Sequence, residues 1–107
     1  MTITEHFICG KHTVDDCEDG IVVSNDFAAV IDGSTSKTPT RLDHSMKNGR
    51  FAMILISEYI KHMPANYAMY DFCRDITLRI AEEYNKRGIT KRMAEHPEER
   101  LTASAII

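Results

Sequence analysis

CEDGIVVSNDFAAVIDGSTSK, running from Cys17 to Lys37, is the stretch whose reading decides the fold. Ile21 to Ser24 and Phe27 to Ile31 have the Val, Ile, Ala and Phe content of strands. Asn25 and Asp26 between them suit a two-residue hairpin turn with positive φ. Such a turn sets the register. Ser24 then faces Phe27, Val23 faces Ala28, Val22 faces Ala29, Ile21 faces Val30, Gly20 faces Ile31 and Asp19 faces Asp32. Two carboxylates meet at the open end of the hairpin.

Like charges directly opposite one another weaken a sheet, so this end calls for a cation, a proton or a splayed terminus. Glu18 stands beside Asp19, and Gly33 beside Asp32 lets a backbone carbonyl approach an ion without a side chain in the way. The plainer reading is that Asp32-Gly33 is simply the next turn, with Glu18 and Asp19 solvated at a strand edge. The local pattern leaves both open. The register places Asp19, rather than Glu18, on the same side as Asp32, and a bulge would exchange the two.

An acidic Glu18-Asp19 pair, a hairpin, and the run Ala29-Val30-Ile31-Asp32-Gly33 together resemble the N-terminal part of the 2C-type metal-dependent protein phosphatases. Leu101-Thr102-Ala103-Ser104-Ala105-Ile106-Ile107 is similar to that family's later Thr-Ala strand. The resemblance spans most of the chain through short motifs, so residues 1–107 read as the N-terminal part of a phosphatase-like domain. It implies an α+β fold, an antiparallel sheet carrying two antiparallel helices on one face, half of a four-layer αββα sandwich. It also implies hydrolysis of phosphomonoesters, on a serine/threonine phosphoprotein or a small phosphorylated substrate, by a water activated on two Mn2+ or Mg2+ ions. In that reading Asp32 bridges both ions, the Gly33 carbonyl binds one, Glu18 approaches through a water and Asp19 supports the shell. Asp32 and Glu18 are then the catalytic candidates, and Glu18, Asp19, Asp32 and Gly33 the metal set.

Three departures bear on activity. The family's further metal-binding aspartates belong to a C-terminal half beyond Ile107. Val14 stands where the family has a phosphate-binding arginine, with Lys11 and Lys37 as the nearest substitutes, and Ser34 stands where a histidine often follows Asp-Gly. The expectation is therefore a phosphatase whose residues 1–107 alone bind metal weakly and turn over little. The alternatives are a phosphatase-like interaction domain without catalysis and, further off, an actin-like ATPase or sugar kinase fragment, whose Asp-x-Gly-Thr loop has a residue between Asp and Gly that is missing here.

The remaining chain fits one domain of 107 residues with 43% hydrophobic and 27% charged residues. A net charge of −3 without a basic run gives no nucleic-acid surface, no segment reaches the roughly 20 apolar residues of a membrane span, and Glu5 and His6 break any signal-peptide pattern. Cys9, Cys17 and Cys73 are odd in number and lack zinc-ligand spacing, which suits buried thiols in a reducing cytoplasm. None of the five histidines sits in a ligand pattern. No Walker-type Gly-Lys-Ser/Thr is present.

Thr2 to Cys9 alternates like a first strand, Gly10 to Asp16 reads as loop, and Ser34 to Thr40 is a polar loop. A first helix is expected from about Asp43, as cap, to His62, stopped by Pro64. A second runs from about Asn66 to Arg87, closed by Gly88, with Met69, Phe72, Cys73, Ile76, Ile80 and Tyr84 inward and Arg74, Asp75, Arg79, Glu82, Glu83, Lys86 and Arg87 outward. Met46, Met53 and Met93 read as core. Ile89 to Arg100 reads as a connection, and Leu101 to Ile107 as a strand. Its abrupt apolar end implies a sheet completed either by chain beyond Ile107 or by a second copy, giving a homodimer through the uncovered sheet.

Overall fold

A computed structural model describes residues 17–34 and 41–107. The expected first strand and loop over Thr2 to Asp16, with Lys11 and Val14, and the segment from Thr35 to Thr40, with Lys37, lie outside the described residues. Strands β1 (Asp19–Val23), β2 (Ala28–Gly33) and β3 (Ala103–Ile106) form a three-stranded antiparallel sheet with β2 at its centre. Helices α1 (Asn48–Lys61), α2 (Met69–Lys86) and α3 (Thr90–Glu95) come between β2 and β3 in sequence. The fold is α+β. Among the described residues, no helix is long and apolar enough to cross a membrane.

The hairpin has the expected register, from Val23 opposite Ala28 to Asp19 opposite Asp32. Its turn differs. No described non-glycine residue has positive φ, so Asn25 and Asp26 avoid the left-handed region, which costs a residue with a Cβ about 1–2 kcal/mol. The Ser24 side chain closes the turn instead: its hydroxyl accepts the Phe27 N–H at 3.1 Å, while the Ser24 N–H donates to the Phe27 carbonyl at 2.8 Å.

Alternation sorts the sheet into two faces. Val22, Ala29 and Ile31 point toward the helices and pack with Met53, Ile56, Ile60 and Met63, joined by Phe72 and Ile76 of α2. A second cluster gathers Phe51, Ala52 and Leu55 of α1 with Tyr84, Met93 and Leu101. Because α1 contributes to both clusters, its apolar stripe is broad. The other sheet face carries Val23, Val30 and Ile106, 43%, 57% and 79% exposed.

Helix α1 starts at Asn48, later than expected. Asp43 spends its carboxylate on the Ser45 N–H at 2.8 Å, forming a turn ahead of the helix rather than its cap. These Ser45 hydrogen bonds hold the Asp43 carboxyl below its ordinary range. Helix α2 likewise begins at Met69, after a turn in which the Tyr67 N–H reaches the Pro64 carbonyl at 3.1 Å. Its end is as expected. Gly88 takes φ 66°, its N–H bonds the Asn85 carbonyl, and the Ile89 N–H returns to the Tyr84 carbonyl at 3.0 Å.

Three side chains of α2 depart from the expected faces. Met69 is 60% exposed and Cys73 is exposed, whereas Glu83, expected outward, is buried. Glu83 meets Arg79 at 2.6 Å and also pairs with Arg87. Arg87 lies over the Phe51 ring and donates to the Leu42 carbonyl, so the ion pairs close the α2 end over α1. Cys17 is buried as expected, as are Met53 and Met93, while Met46 is half-buried.

The segment read as a connection instead contains α3 and a 3-10 turn, Pro97–Glu99. One buried residue, Met93, anchors α3, which leaves too little periodicity to see in sequence. The chain then enters β3 where the Leu101 N–H donates to the Tyr84 hydroxyl at 2.9 Å.

Candidate metal centre

The hairpin's hydrogen bonding decides how closely its two acidic residues approach. The Gly33 N–H donates to the Glu18 carbonyl at 2.8 Å, so Glu18 and Gly33 form a hydrogen-bonded pair. Asp19 and Asp32, one step along, form the alternate kind, whose Cα atoms stand about 4.5 Å apart and whose side chains come closest. Both are exposed, on the sheet face away from the helices. Ser104 of β3 is the partner of Asp32 on its other side. Two carboxylates and a hydroxyl therefore form a row across three strands.

Glu18 belongs to the other side. Its carboxylate lies against Gly49 in the first turn of α1: a Cβ placed on Gly49 would fall on Glu18 Oε2, 2.7 Å from Glu18 Cδ and 2.6 Å from the Ser34 carbonyl oxygen. A Cβ on Gly33 would collide with the Gly49 carbonyl oxygen and come within 2.8 Å of the Glu18 carbonyl oxygen. The first turn of α1 is thus pressed onto the end of β2. Arg50 adds a tie, Nη1 donating to the Cys17 carbonyl at 2.8 Å, and Asn48 Oδ1 accepts the Leu42 N–H at 3.0 Å.

Of the four residues expected to hold metal, the fold brings Asp19 and Asp32 together on one face, with Gly33 next in the chain, and turns the Glu18 side chain toward α1. No bulge intervenes to exchange Glu18 with Asp19. Ser34 is exposed, its N–H donating to the Thr102 carbonyl at 3.0 Å. Sequence reasoning passed over Ser104, Gly49 and Arg50. Ser104 joins the row only once the β2–β3 register is known. Gly49 did leave a signal: glycine inside a helix costs about 1 kcal/mol against alanine, which points to a close approach.

His96, Glu98 and Glu99 also converge, their ligand atoms lying within 4.8 Å of one another. Arg92 already holds both Glu99 oxygens, at 3.0 and 2.8 Å, and His96 Nδ1 meets Glu98 at 3.2 Å. That group reads as an ion-pair network tying α3, through Arg92, to the Pro97–Glu99 turn. A cavity of about 350 Å3, lined by Leu55, Tyr59, Met63 and Tyr67 among others, opens beside α1 and α2 and includes neither Asp19 nor Asp32.

Comparison of the chain with protein-family models, with curated proteins and with solved structures finds no match.

Proposed function

We propose that this chain is the N-terminal part of a metal-dependent phosphatase that hydrolyses a phosphomonoester on a phosphoprotein or a small phosphorylated substrate. The observation carrying the proposal is the pairing of Asp19 with Asp32 as closest cross-strand neighbours on the solvent face. Two carboxylates beside a glycine carbonyl are hard oxygen donors, which fit Mn2+ or Mg2+. Asp32 and Asp19 would hold the ion, with the Gly33 carbonyl as a third donor.

Such an ion supplies a water of lowered pKa and offsets charge on phosphoryl oxygens. The chain's own residues do the placing. β2 and β1 fix the two carboxylates directly opposite one another, and Ser104 sets a hydroxyl beside Asp32. These donors leave a six-coordinate shell incomplete, so water and further ligands would fill it, and binding by this chain alone is weak. In the complete domain the exposed sheet face would be covered as the inner layer of an αββα sandwich.

A second reading is a phosphatase-like interaction domain without turnover, favoured by Val14 at the phosphate-arginine position. Calorimetric titration of Mn2+ into the chain and into Asp32→Ala, with aryl phosphate hydrolysis followed in the same samples, separates the two. Binding lost in the variant supports the metal corner, and turnover with it the enzyme. Binding without turnover favours the interaction domain. No binding in either protein removes the metal reading for this chain.

A further inference from the structure

A cavity of about 140 Å3 lies where the end of α2, the start of α3, the Pro97–Glu99 turn and the segment ahead of α1 meet. Leu42, Ile89 and Met93 give it apolar walls, and Arg41, Arg87, Arg92 and Glu99 line the rest. One carboxylate among three guanidinium groups leaves the lining positive.

Two of the arginines are held in place by partners of their own. Arg87 Nε donates to the Leu42 carbonyl at 3.0 Å, Nη1 pairs with Glu83, and the guanidinium carbon lies 5.0 Å from the centre of the Phe51 ring. Leu42 is fixed in turn, its N–H donating to Asn48 Oδ1 at 3.0 Å. Arg92 holds Glu99 side-on, Nε and Nη2 donating to the two carboxylate oxygens at 3.0 and 2.8 Å. Groups already fixed lose little conformational freedom when a ligand arrives, which favours binding.

The hydrogen bonds also decide what such a ligand must be. A guanidinium carries donors on all three of its nitrogens and accepts nothing. Arg87 uses Nε and Nη1, and Arg92 uses Nε and Nη2, so Nη2 of the first and Nη1 of the second keep their donors. Arg41 makes no hydrogen bond or ion pair among the described residues. Glu99, the one carboxylate in the lining, is buried with both oxygens taken by Arg92. Positive charge, N–H donors and apolar surface are what the cavity has left to offer.

We propose that this cavity binds a small carboxylic acid with a short apolar body, its carboxylate on the arginines and its hydrocarbon against Leu42, Ile89 and Met93. A planar carboxylate matches the fork of a guanidinium. The volume is well below the roughly 300 Å3 at which pockets for drug-sized molecules begin, so the acid is small. Inorganic phosphate would satisfy the arginines but leave the apolar walls in contact with water. The site does not depend on the metal reading of Asp19 and Asp32.

Isovalerate is the probe, with its uncharged amide and inorganic phosphate as controls, each titrated into the unmodified chain and into Arg41→Gln while NMR follows the methyl signals of Leu42, Ile89 and Met93. The comparison of acid with amide needs no variant, so it decides even where a substitution disturbs the fold. The expected result is saturable shifts at the three residues with isovalerate and at least tenfold weaker binding of the amide. Isovalerate affinity should fall about threefold in Arg41→Gln, the scale of an exposed charge pair, and should weaken as salt is raised. Absence of saturable shifts at Ile89 and Met93, an amide that binds as well as the acid, or unchanged affinity in Arg41→Gln would each overturn the inference. Phosphate binding as tightly as isovalerate would overturn the assignment to an acid with an apolar body.

Discussion

Asp19 and Asp32 are direct partners in a non-hydrogen-bonded pair on the solvent face of the sheet, so two carboxylates stand at the closest approach that an antiparallel ladder allows. Removing the Asp32 charge tests the pair. In the presence of a chelator, Asp32→Asn is expected to change stability by no more than about 0.5 kcal/mol, the scale of a cross-strand charge pair. Thermal melts with and without Mn2+ check the cation role: the ion should raise the midpoint of the unmodified chain and leave that of Asp32→Asn nearly unmoved. Equal shifts in the unmodified chain and Asp32→Asn would place the ion elsewhere.

Gly33 and Gly88 are glycines for different reasons, and alanine should separate them. At Gly33 a Cβ meets the backbone of Gly49 and Glu18, which cannot rotate aside, and Gly33→Ala is expected to cost about 3 kcal/mol. At Gly88 the space is open and only φ 66° opposes a side chain, so Gly88→Ala should cost about 1 kcal/mol. Urea unfolding of both variants measures the difference. Equal losses would mean that α1 yields at Gly49 more easily than its contacts suggest.

Glu83 links stability to pH. Its carboxyl is held below the ordinary range chiefly by the Arg79 hydrogen bond and further by Arg87, against the opposing effect of burial. The native state therefore gives up this proton more readily than the unfolded chain does. Its stabilising effect is complete above the unfolded value, about 4.3, and is lost as pH falls through the lower folded value. Asp43 and Glu98 are lowered too, so the diagnostic quantity is the difference between the chain and Glu83→Gln. At pH 7 that variant should be less stable by about 2 kcal/mol, with the gap closing below pH about 4. A gap constant with pH would show that the ion pairs do not set it.

Val30 and Ile31 are neighbours on opposite faces, 57% and 0% exposed. Ile31→Ala is expected to cost about 3 kcal/mol through the lost burial and the cavity left behind. Val30→Thr should change stability by less than about 0.5 kcal/mol. Chemical denaturation at several protein concentrations checks both. A larger loss at Val30 that grows with concentration would show a second copy covering that face, and sedimentation of a stable monomer would rule the copy out.

Much was legible because it is local. Two apolar runs separated by two polar residues admit one pairing, and the register of β1 and β2 follows from it whatever the turn's φ values. Gly88 closed α2 as expected because a left-handed terminus needs no partner beyond its own helix. Opposition of Asp19 and Asp32 was likewise readable, four steps along the ladder from Val23 and Ala28.

What tertiary structure decided were the places where a remote group replaces a local one. Asp43 looked like the cap of α1, yet the start of that helix has Glu18 lying against it from another element, and sequence spacing carries no record of such a contact. Glu83 looked solvated because its neighbours are charged, and it is buried because those arginines fold over it. Helix α3, too short to be stable alone, is held by Met93 in the cluster with Tyr84 and Leu101. Backbone preference and alternation depend on adjacent residues and are written along the chain. Burial and the collision that requires Gly33 and Gly49 depend on which segments meet, and only packing determines that.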